Sequence, residues 1–328
     1  MSHLWDSRYA LRMKGITSST IRELLKLTQR PEVISFAGGL PAAEYFPVER
    51  FKEACDRVLA NSAYQALQYS TTEGYTPLRE LIAERLCRTG VCVDADNVLI
   101  TSGSQQALSL IGALLINPGD LVLVEQPTYL GALQAFSLYQ ANYLGVPLDD
   151  DGICTDQLPG ALRHGPKFMY ILPNFQNPAG VTLSAARRAK LVEHAHQYGV
   201  PIIEDDPYGE LRYEGEANRP IVAYDAEALG LGSDAYSGNV IELGTFSKTL
   251  APGLRIAWIV APKPVIGRLV QIKQGTDLHT SIFGQMVIYE VAKDGFIDEH
   301  IANLRTVYRK RRDAMLAALD QFMPSEVE

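Results

Sequence analysis

Short apolar runs alternate with amphipathic stretches through the middle of the chain. The runs have the length of strands, and in the stretches apolar residues recur every three or four positions, as on one buried face of a helix. The predicted strands lie near residues 97–101, 121–125, 142–146, 167–172, 200–204 and 239–243. The predicted helices between them lie near residues 104–116, 129–139, 155–163 and 184–198. This alternation predicts an α/β fold with a mostly parallel sheet that helices cover on both faces.

Helical patterns also flank this central region. A capping box predicts a helix from Thr20, and Pro47 suits the first turn of another. The pattern is helical again from about residue 263 onward. Segment 225–239 is polar and predicts a loop, and we interpret the basic cluster at 309–312 as a solvated helix face.

Composition narrows the classes of function. The chain has 328 residues, of which 47% are hydrophobic and 21% charged, as in an ordinary globular protein. Its net charge of -8 gives no support to a nucleic-acid surface. Four cysteines at unrelated spacings predict reduced thiols and no cysteine metal site. No signal peptide and no apolar run of ~18 residues is present, so we expect a cytoplasmic protein.

The first candidate for chemistry is a lysine that follows the last predicted strand. Lys248 has the hydroxyls of Thr245 and Ser247 close before it and the guanidinium of Arg255 shortly after it. A primary amine forms an imine with an aldehyde, while hydroxyls and a guanidinium bind a phosphate dianion. Taken alone, such a lysine is more often a solvated side chain, so the stretch needs support from elsewhere.

Other strand ends supply that support, because ligands of open parallel sheets bind beyond the carboxyl ends of the strands. Gly103 opens the path to a helix whose first amides could bind an anion, although a plain turn is the alternative. Tyr129 could lie on an aromatic ring or pack in the core. Asn177, with Asn174 as a second candidate, projects an amide from the loop before Pro178.

A carboxylate follows the strand near residues 200–204. Asp205 could keep a heterocyclic nitrogen protonated, which makes an aromatic ring an electron sink. The alternatives are that Glu204, Asp205 and Asp206 bind a divalent metal or cap a helix. No histidine pattern supports the metal, and we predict none.

The assembled motifs closely resemble those of the class I, fold-type I pyridoxal-phosphate aminotransferases, and within them the 2-aminoadipate and kynurenine-type branch. The matching motifs are STIRELLKLTQRP, ISFAGGLP, LQYSTTEGYTPLRE, TSGSQQAL, PNFQNPAG, EDDPYGEL and GTFSKTLAPGLRIAW. The resemblance implies a mostly parallel seven-stranded sheet between helices, as in the large domain of aspartate aminotransferase. It also implies an N-terminal arm and helix at 1–45, a cofactor domain at 46–275, and an interdomain helix with an incomplete small domain at 276–328.

The resemblance also implies a role for each matching residue. Lys248 would bind the aldehyde of pyridoxal 5'-phosphate and move the substrate proton, and Asp205 would pair with the ring nitrogen. Asn177 and Tyr208 would hold the ring oxygen, with Tyr129 stacked on the ring. The phosphate would be bound by Gly103, Ser104, Gln105, Thr245, Ser247 and Arg255. Tyr69 would reach the phosphate of a neighbouring subunit, which implies a homodimer with shared sites. Arg22, Gly39 and Asn177 would line the substrate pocket.

These roles predict transamination between an amino acid, either 2-aminoadipate or one of a broad set, and 2-oxoglutarate. Two alternatives stay open: a ligand-sensing aminotransferase-like module of a transcription regulator, and a pyridoxal-phosphate lyase. Members of the family continue for many residues past QFMPSEVE, where this sequence stops, and there supply the arginine that binds the substrate α-carboxylate. We expect either a longer parent chain or a protein that binds the cofactor and transaminates poorly.

Overall fold

An eight-stranded sheet forms the centre of the protein. The computed structural model describes residues 4–16, 32–33 and 39–324. The strands are β1 (Val98–Thr101), β2 (Leu121–Gln126), β3 (Asn142–Asp149), β4 (Gly152–Ile153), β5 (Met169–Ile171), β6 (Ile202–Asp205), β7 (Val240–Thr245) and β8 (Ala257–Val260). Their order across the sheet is β1-β8-β7-β6-β5-β2-β3-β4.

Ten α-helices surround this sheet within the described ranges. They are α1 (Val48–Ala66), α2 (Thr76–Cys87), α3 (Ser104–Leu115), α4 (Leu130–Ser137), α5 (Leu158–Leu162), α6 (Ala185–Tyr198), α7 (Ile221–Ala228), α8 (Lys263–Thr276), α9 (Ile282–Ala292) and α10 (Phe296–Phe322). Short 3₁₀ helices lie at Leu4–Ser7, Leu11–Gly15, Ala43–Tyr45, Ala95–Asn97, Thr155–Gln157, Gly209–Leu211 and Pro252–Leu254.

Five neighbouring strands of the sheet run parallel. They are β7, β6, β5, β2 and β3, whereas β8 pairs antiparallel with β7 and β1, and β4 pairs antiparallel with β3. The predicted mostly parallel α/β fold is therefore confirmed. The sheet has eight strands rather than seven, because the two-residue β4 forms a hairpin with the end of β3. So short a strand leaves no hydrophobic pattern of its own to detect.

Alternate residues of each strand point into two separate cores. Ile202 and Val240 belong to a core that includes residues of α1, α2, α6, α7 and α9. Ile203 and Leu243 belong to a second core that includes residues of α3, α4 and α8. Because side chains alternate along a strand, Asp205 follows Ile203 and Thr245 follows Leu243 onto this second face. The strand period thus directs the last residues of β6 and β7 toward the same side of the sheet.

The loop predicted for residues 225–239 is wrong at its start, because α7 extends through Ala228. The buried carboxylate of Glu204 accepts hydrogen bonds from the backbone N–H groups of Ile221 at 2.7 Å and Val222 at 2.9 Å. A helix N-terminus is stabilised by such an acceptor. Glu204 lies 17 residues before Ile221, so no local sequence pattern indicates this cap.

Several other predictions concern cysteines, membranes and domains. The four cysteines are free. Among the described helices, none offers an apolar stretch of the length that a bilayer requires. The division into domains at residues 45/46 and 275/276, and the cytoplasmic location, stay predictions.

Candidate active site

A cavity of about 960 Å³ opens where the parallel strands end. Residues that follow β2, β5, β6 and β7 line it, together with the first turn of α3 and part of α10. Eleven of the residues predicted from the sequence line this one cavity: Gly39, Ser104, Gln105, Tyr129, Asn177, Asp205, Tyr208, Thr245, Ser247, Lys248 and Arg255. The shared carboxyl edge of the parallel strands explains why residues so far apart in sequence meet here.

Lys248 lies in the turn after β7 and is largely removed from water. Burial lowers the pKa of its ammonium group, because desolvation disfavours the charged form. Its Nζ lies 5.9 Å from the ring centroid of Tyr208. In the described part of the chain, no carboxylate forms an ion pair with Lys248. A larger fraction of neutral amine follows, and the neutral amine is the form that attacks an aldehyde or accepts a proton.

Asp205 is buried at the end of β6 and is held by one strong hydrogen bond. The Tyr170 hydroxyl donates to its Oδ2 at 2.6 Å. Burial raises the pKa of Asp205 to about 6, and the hydrogen bond from Tyr170 offsets part of this rise. A cation placed beside Asp205 would stabilise the carboxylate and lower that pKa. Asp205 is thus suited to pairing with a protonated nitrogen inside the cavity.

The two acidic neighbours of Asp205 have structural partners. Glu204 points to the opposite face of the sheet and caps α7, as described above. Asp206 accepts hydrogen bonds from Asn174 Nδ2 at 2.7 Å and from the backbone N–H of Gly209 at 2.8 Å. Asn174 in turn accepts from the buried Arg188 at 2.8 Å, so its role is in the loop and it does not line the cavity. Within the described residues no His, Cys, Asp and Glu side chains cluster as metal ligands.

Tyr208 and Asn177 face the cavity from neighbouring loops. Burial raises the pKa of the Tyr208 hydroxyl, and a hydrogen bond with the Asn177 side chain offsets part of that rise. Tyr129 precedes α4, and burial likewise raises the pKa of its hydroxyl. A β-carbon at Gly131 would lie 2.5 Å from the Tyr129 ring, so only glycine at this position leaves room for the ring.

An anion cradle is formed by the turn before α3 and by Arg255. Gly103 has a φ of 83°, and a β-carbon there would overlap the Arg255 guanidinium. This overlap means that the backbone passes directly beside the guanidinium. Thr245 Oγ1 donates to Ser247 Oγ at 2.9 Å on the other side. Free amides at a helix N-terminus, two hydroxyls and a guanidinium form a donor set that suits a phosphate.

A buried glutamate anchors the loop that carries Asn177. Glu125 Oε2 accepts from the backbone N–H of Leu172 at 3.1 Å and from Gln176 Nε2 at 3.1 Å. The same Gln176 amide donates to the carbonyl of Pro127 at 2.8 Å. Burial raises the pKa of Glu125 to about 8. Gln176, which lines the cavity, therefore joins the loops that follow β2 and β5, and the buried Glu125 holds Gln176 in place.

The cavity also contains residues that the sequence did not reveal. The most prominent are Tyr308 and Arg312, which lie one turn apart on α10. Arg312 forms an ion pair with Glu214, and its guanidinium carbon lies 5.2 Å from the ring centroid of Tyr213. The interpretation of 309–312 as a solvated face is therefore wrong for Arg312. Its spacing from Tyr308 is the only local signal, because Glu214 is remote in sequence.

Two of the predicted residues that the structure describes, Tyr69 and Gly103, are not among those that line the cavity. Tyr69 is 80% exposed, and its ring meets His279 edge-on with the centroids 6.0 Å apart. Gly103 lies behind the Arg255 guanidinium, where the close approach described above makes it part of the cradle. Arg22 lies outside the described residues. Its role in substrate binding stays a prediction.

Comparison with known proteins gives a consistent result. A sequence model of the family "Aminotransferase class I and II" matches residues 31–325. The aromatic-amino-acid aminotransferase 1 of Thermococcus litoralis is 47% identical, over 99% of this chain and 77% of its own length. The 2-aminoadipate transaminase of Thermus thermophilus is 46% identical, over 98% of this chain and 78% of its own length. A crystal structure of α-aminoadipate aminotransferase from the same organism contains N-(5'-phosphopyridoxyl)-L-leucine. It superimposes on this chain with a TM-score of 0.90 at 43% sequence identity. The match covers 99% of this chain and 79% of that one.

Substitution of Gly103 by alanine tests the cradle. We expect Gly103→Ala to weaken binding of pyridoxal phosphate by roughly tenfold or more, because the new methyl group displaces the Arg255 guanidinium. Gly119→Ala is a matched control, since Gly119 has a φ of 89° and no atom within 4 Å of a β-carbon. Both variants should lose about 1–3 kcal/mol of unfolding free energy through backbone strain. Titration of each purified protein with the cofactor measures the difference; equal affinities would contradict the assignment.

The raised pKa of Glu125 predicts a pH dependence of stability. Between pH 4.5, the ordinary value, and about 8, the folded protein keeps the proton that the unfolded chain has lost. Stability from this group is therefore complete below pH 4.5 and is lost as pH rises through about 8, by at most ~1.4 kcal/mol per pH unit. Glu125→Gln keeps both hydrogen bonds and removes the titration. Urea unfolding from pH 5 to 8 should show a smaller decline for Glu125→Gln than for the wild type, whereas the exposed Glu299→Gln should follow the wild type.

Proposed function

Because the chain belongs to the class I and II aminotransferases, we propose that it transfers an amino group from an amino acid to 2-oxoglutarate. It is a pyridoxal-phosphate-dependent aminotransferase, as its relatives are. The donor that we propose is 2-aminoadipate or a broader set that includes aromatic amino acids. This choice rests on the two relatives whose names specify those substrates.

One observation carries the proposal: a buried amine, a buried carboxylate and an anion cradle share a single cavity. Lys248, Asp205 and Arg255 line this cavity, and Gly103 lies directly beside the Arg255 guanidinium. Pyridoxal phosphate combines an aldehyde, a basic ring nitrogen and a phosphate. Each of these groups has a partner of matching chemistry here, so the residues present fit the cofactor.

We assign a role to each of these side chains. The Lys248 amine would hold the aldehyde, and the same amine is the base that would take the proton from the substrate α-carbon. The bound cofactor supplies an electron sink that stabilises the charge left by this proton. The Asp205 carboxylate would accept a hydrogen bond from the ring nitrogen and keep that nitrogen protonated. Its fixed partner, Tyr170, holds the carboxylate in one orientation.

The remaining residues orient the ring and the phosphate. Tyr208 and Asn177 would hold the ring oxygen, and Tyr129 would pack on the ring face. The phosphate would be bound by the donors of the cradle: Gly103, Ser104, Gln105, Thr245, Ser247 and Arg255. These contacts would fix the ring relative to Lys248 and so keep its amine oriented for proton transfer.

We also propose that two copies of the chain form a homodimer. Tyr69 is 80% exposed, and nearby Tyr64 and Leu67 are 96% and 75% exposed. Exposed aromatic and apolar side chains such as these favour burial against a partner. In the dimer Tyr69 would reach the phosphate bound to the other subunit. Sedimentation analysis that finds only monomers at micromolar concentration would refute this arrangement.

Covalent trapping tests the role of Lys248. After incubation with pyridoxal phosphate and reduction with borohydride, peptide mapping should find the cofactor on Lys248. Lys248→Ala should lose the visible absorbance of covalently bound cofactor, since no other amine lies in the described part of the cavity wall. Lys263→Ala is the control, because Lys263 is an exposed lysine paired with Asp94. Retention of the band by Lys248→Ala would disprove the assignment.

The same preparation separates the alternatives. A transaminase forms one glutamate from 2-oxoglutarate for each donor consumed. A lyase consumes the donor without forming glutamate. A sensing module binds amino acid without turnover.

The acidic donor is tested through Arg22. We propose that this arginine meets the side-chain carboxylate of 2-aminoadipate or glutamate, as the resemblance implies. Arg22→Ala should raise KM for these two donors by roughly tenfold or more, the scale of a hydrogen bond between charged groups. Leucine has no such carboxylate and serves as the internal control in the same kinetic series. An equal increase in KM for all three donors would reject the proposal.

A further inference from the structure

An ion pair between a buried lysine and a partly exposed aspartate lies behind the phosphate cradle. Lys273 of α8 is completely buried, and its Nζ lies 2.7 Å and 3.0 Å from the two carboxylate oxygens of Asp277. The same Nζ lies 3.0 Å from Gln106 Oε1 and 3.1 Å from Thr280 Oγ1. An ammonium group has three protons, so these acceptors use its full capacity. None of the four residues lines the cavity.

Gln106 connects this ion pair to the turn before α3. Its Oε1 accepts from the backbone N–H of Ser102 at 2.7 Å, and its Nε2 donates to Asp277 Oδ2 at 2.6 Å. The Ser102 hydroxyl lies 3.2 Å from Asp277 Oδ2 and 3.1 Å from Thr280 Oγ1. Both the backbone and the side chain of the residue before Gly103 are therefore fixed by the network.

Stability alone is a poor explanation for this arrangement. Lys273 is completely removed from water, and the cost of burying its charge is often as large as the attraction to its partner, so an apolar residue of similar volume can serve as well. Orientation is a better explanation, because every side chain that accepts a hydrogen bond from Lys273 also contacts Ser102. The turn also passes directly beside Arg255, so small displacements at Gly103 would disturb the cradle.

We propose that Lys273 is a positioning residue for the phosphate-binding turn. Through Gln106 and Ser102 it sets the direction of the Ser104 and Gln105 amides, and thereby the affinity of the protein for the phosphate group. The inference rests on the proposed function, which assigns the phosphate to this turn. It adds a residue that acts on the phosphate without touching it.

The test compares cofactor with and without its phosphate. Lys273→Met keeps the side-chain volume and removes the charge. The dissociation constants of pyridoxal phosphate and of pyridoxal are measured by absorbance titration of the full-length protein. We expect the constant for pyridoxal phosphate to rise by roughly tenfold or more, and that for pyridoxal to change by less than about twofold. An equal loss for both compounds, or no loss, would overturn the proposal.

Arg188→Met is the matched control, since Arg188 is also fully buried but binds Asn174 and the carbonyls of Pro173, Leu183 and Arg219. The ratio of the affinities for pyridoxal phosphate and pyridoxal should be the same in Arg188→Met as in the wild type. If Lys273→Met does not fold, Thr280→Val decides, because it removes one hydroxyl of the network and leaves the ion pair. A smaller shift of the ratio in the same direction supports the proposal, and an unchanged ratio refutes it.

Inorganic phosphate provides a second measurement. It should raise the unfolding temperature of the cofactor-free wild type more than that of Lys273→Met, because only a preorganised turn binds the anion well. If the wild type binds pyridoxal phosphate no more tightly than pyridoxal, and phosphate does not raise its unfolding temperature, the proposed function and this inference are both refuted. If the wild type prefers pyridoxal phosphate to pyridoxal and Lys273→Met keeps that preference, this inference alone is refuted.

Discussion

Lys248 and Asp205 are both largely removed from water in the same cavity, and the chemistry of the site depends on this desolvation. Burial acts on the two groups in opposite directions along the pH scale: it lowers the pKa of the lysine and raises that of the aspartate. Each shift favours the neutral form. A cofactor with a basic ring nitrogen would stabilise the charged form of Asp205, while the lowered pKa of Lys248 favours the reactive neutral amine. The cavity thus suits a ligand that brings a positive charge to one end only.

Such a cavity needs walls of fixed geometry, and residues outside it provide them. Glu125 joins two loops through Gln176, and Arg188 holds Asn174, which in turn holds Asp206. A buried polar group without a partner would cost about 1–3 kcal/mol, so each of these networks holds its loops in place only while it stays complete. The Lys273 network has the same character.

The central part of the fold and most of the site follow from local sequence patterns. Strands β2, β6 and β7 lie within a few residues of their predicted positions, because apolar runs of their length are distinctive. The strands of a parallel sheet end at one edge, and this rule alone predicts that Tyr129, Asp205 and Lys248 lie close together. What could not be predicted depends on partners remote in sequence. The start of α7 is capped by Glu204, and Arg312 enters the cavity beside Glu214 and Tyr213.

The three consecutive acids at the end of β6 show how one local rule separates roles. A strand turns successive side chains to opposite faces, so Glu204 and Asp205 enter different cores even though they are adjacent. Glu204 meets the free amides of α7 on one face, and Asp205 meets Tyr170 and the cavity on the other. Asp206 lies beyond the strand, where the loop folds back and its carboxylate binds Asn174 and Gly209. A metal site would need these carboxylates to converge, and the strand geometry keeps Glu204 and Asp205 apart. The same alternation that builds the two cores therefore leaves a single carboxylate of the three facing the cavity.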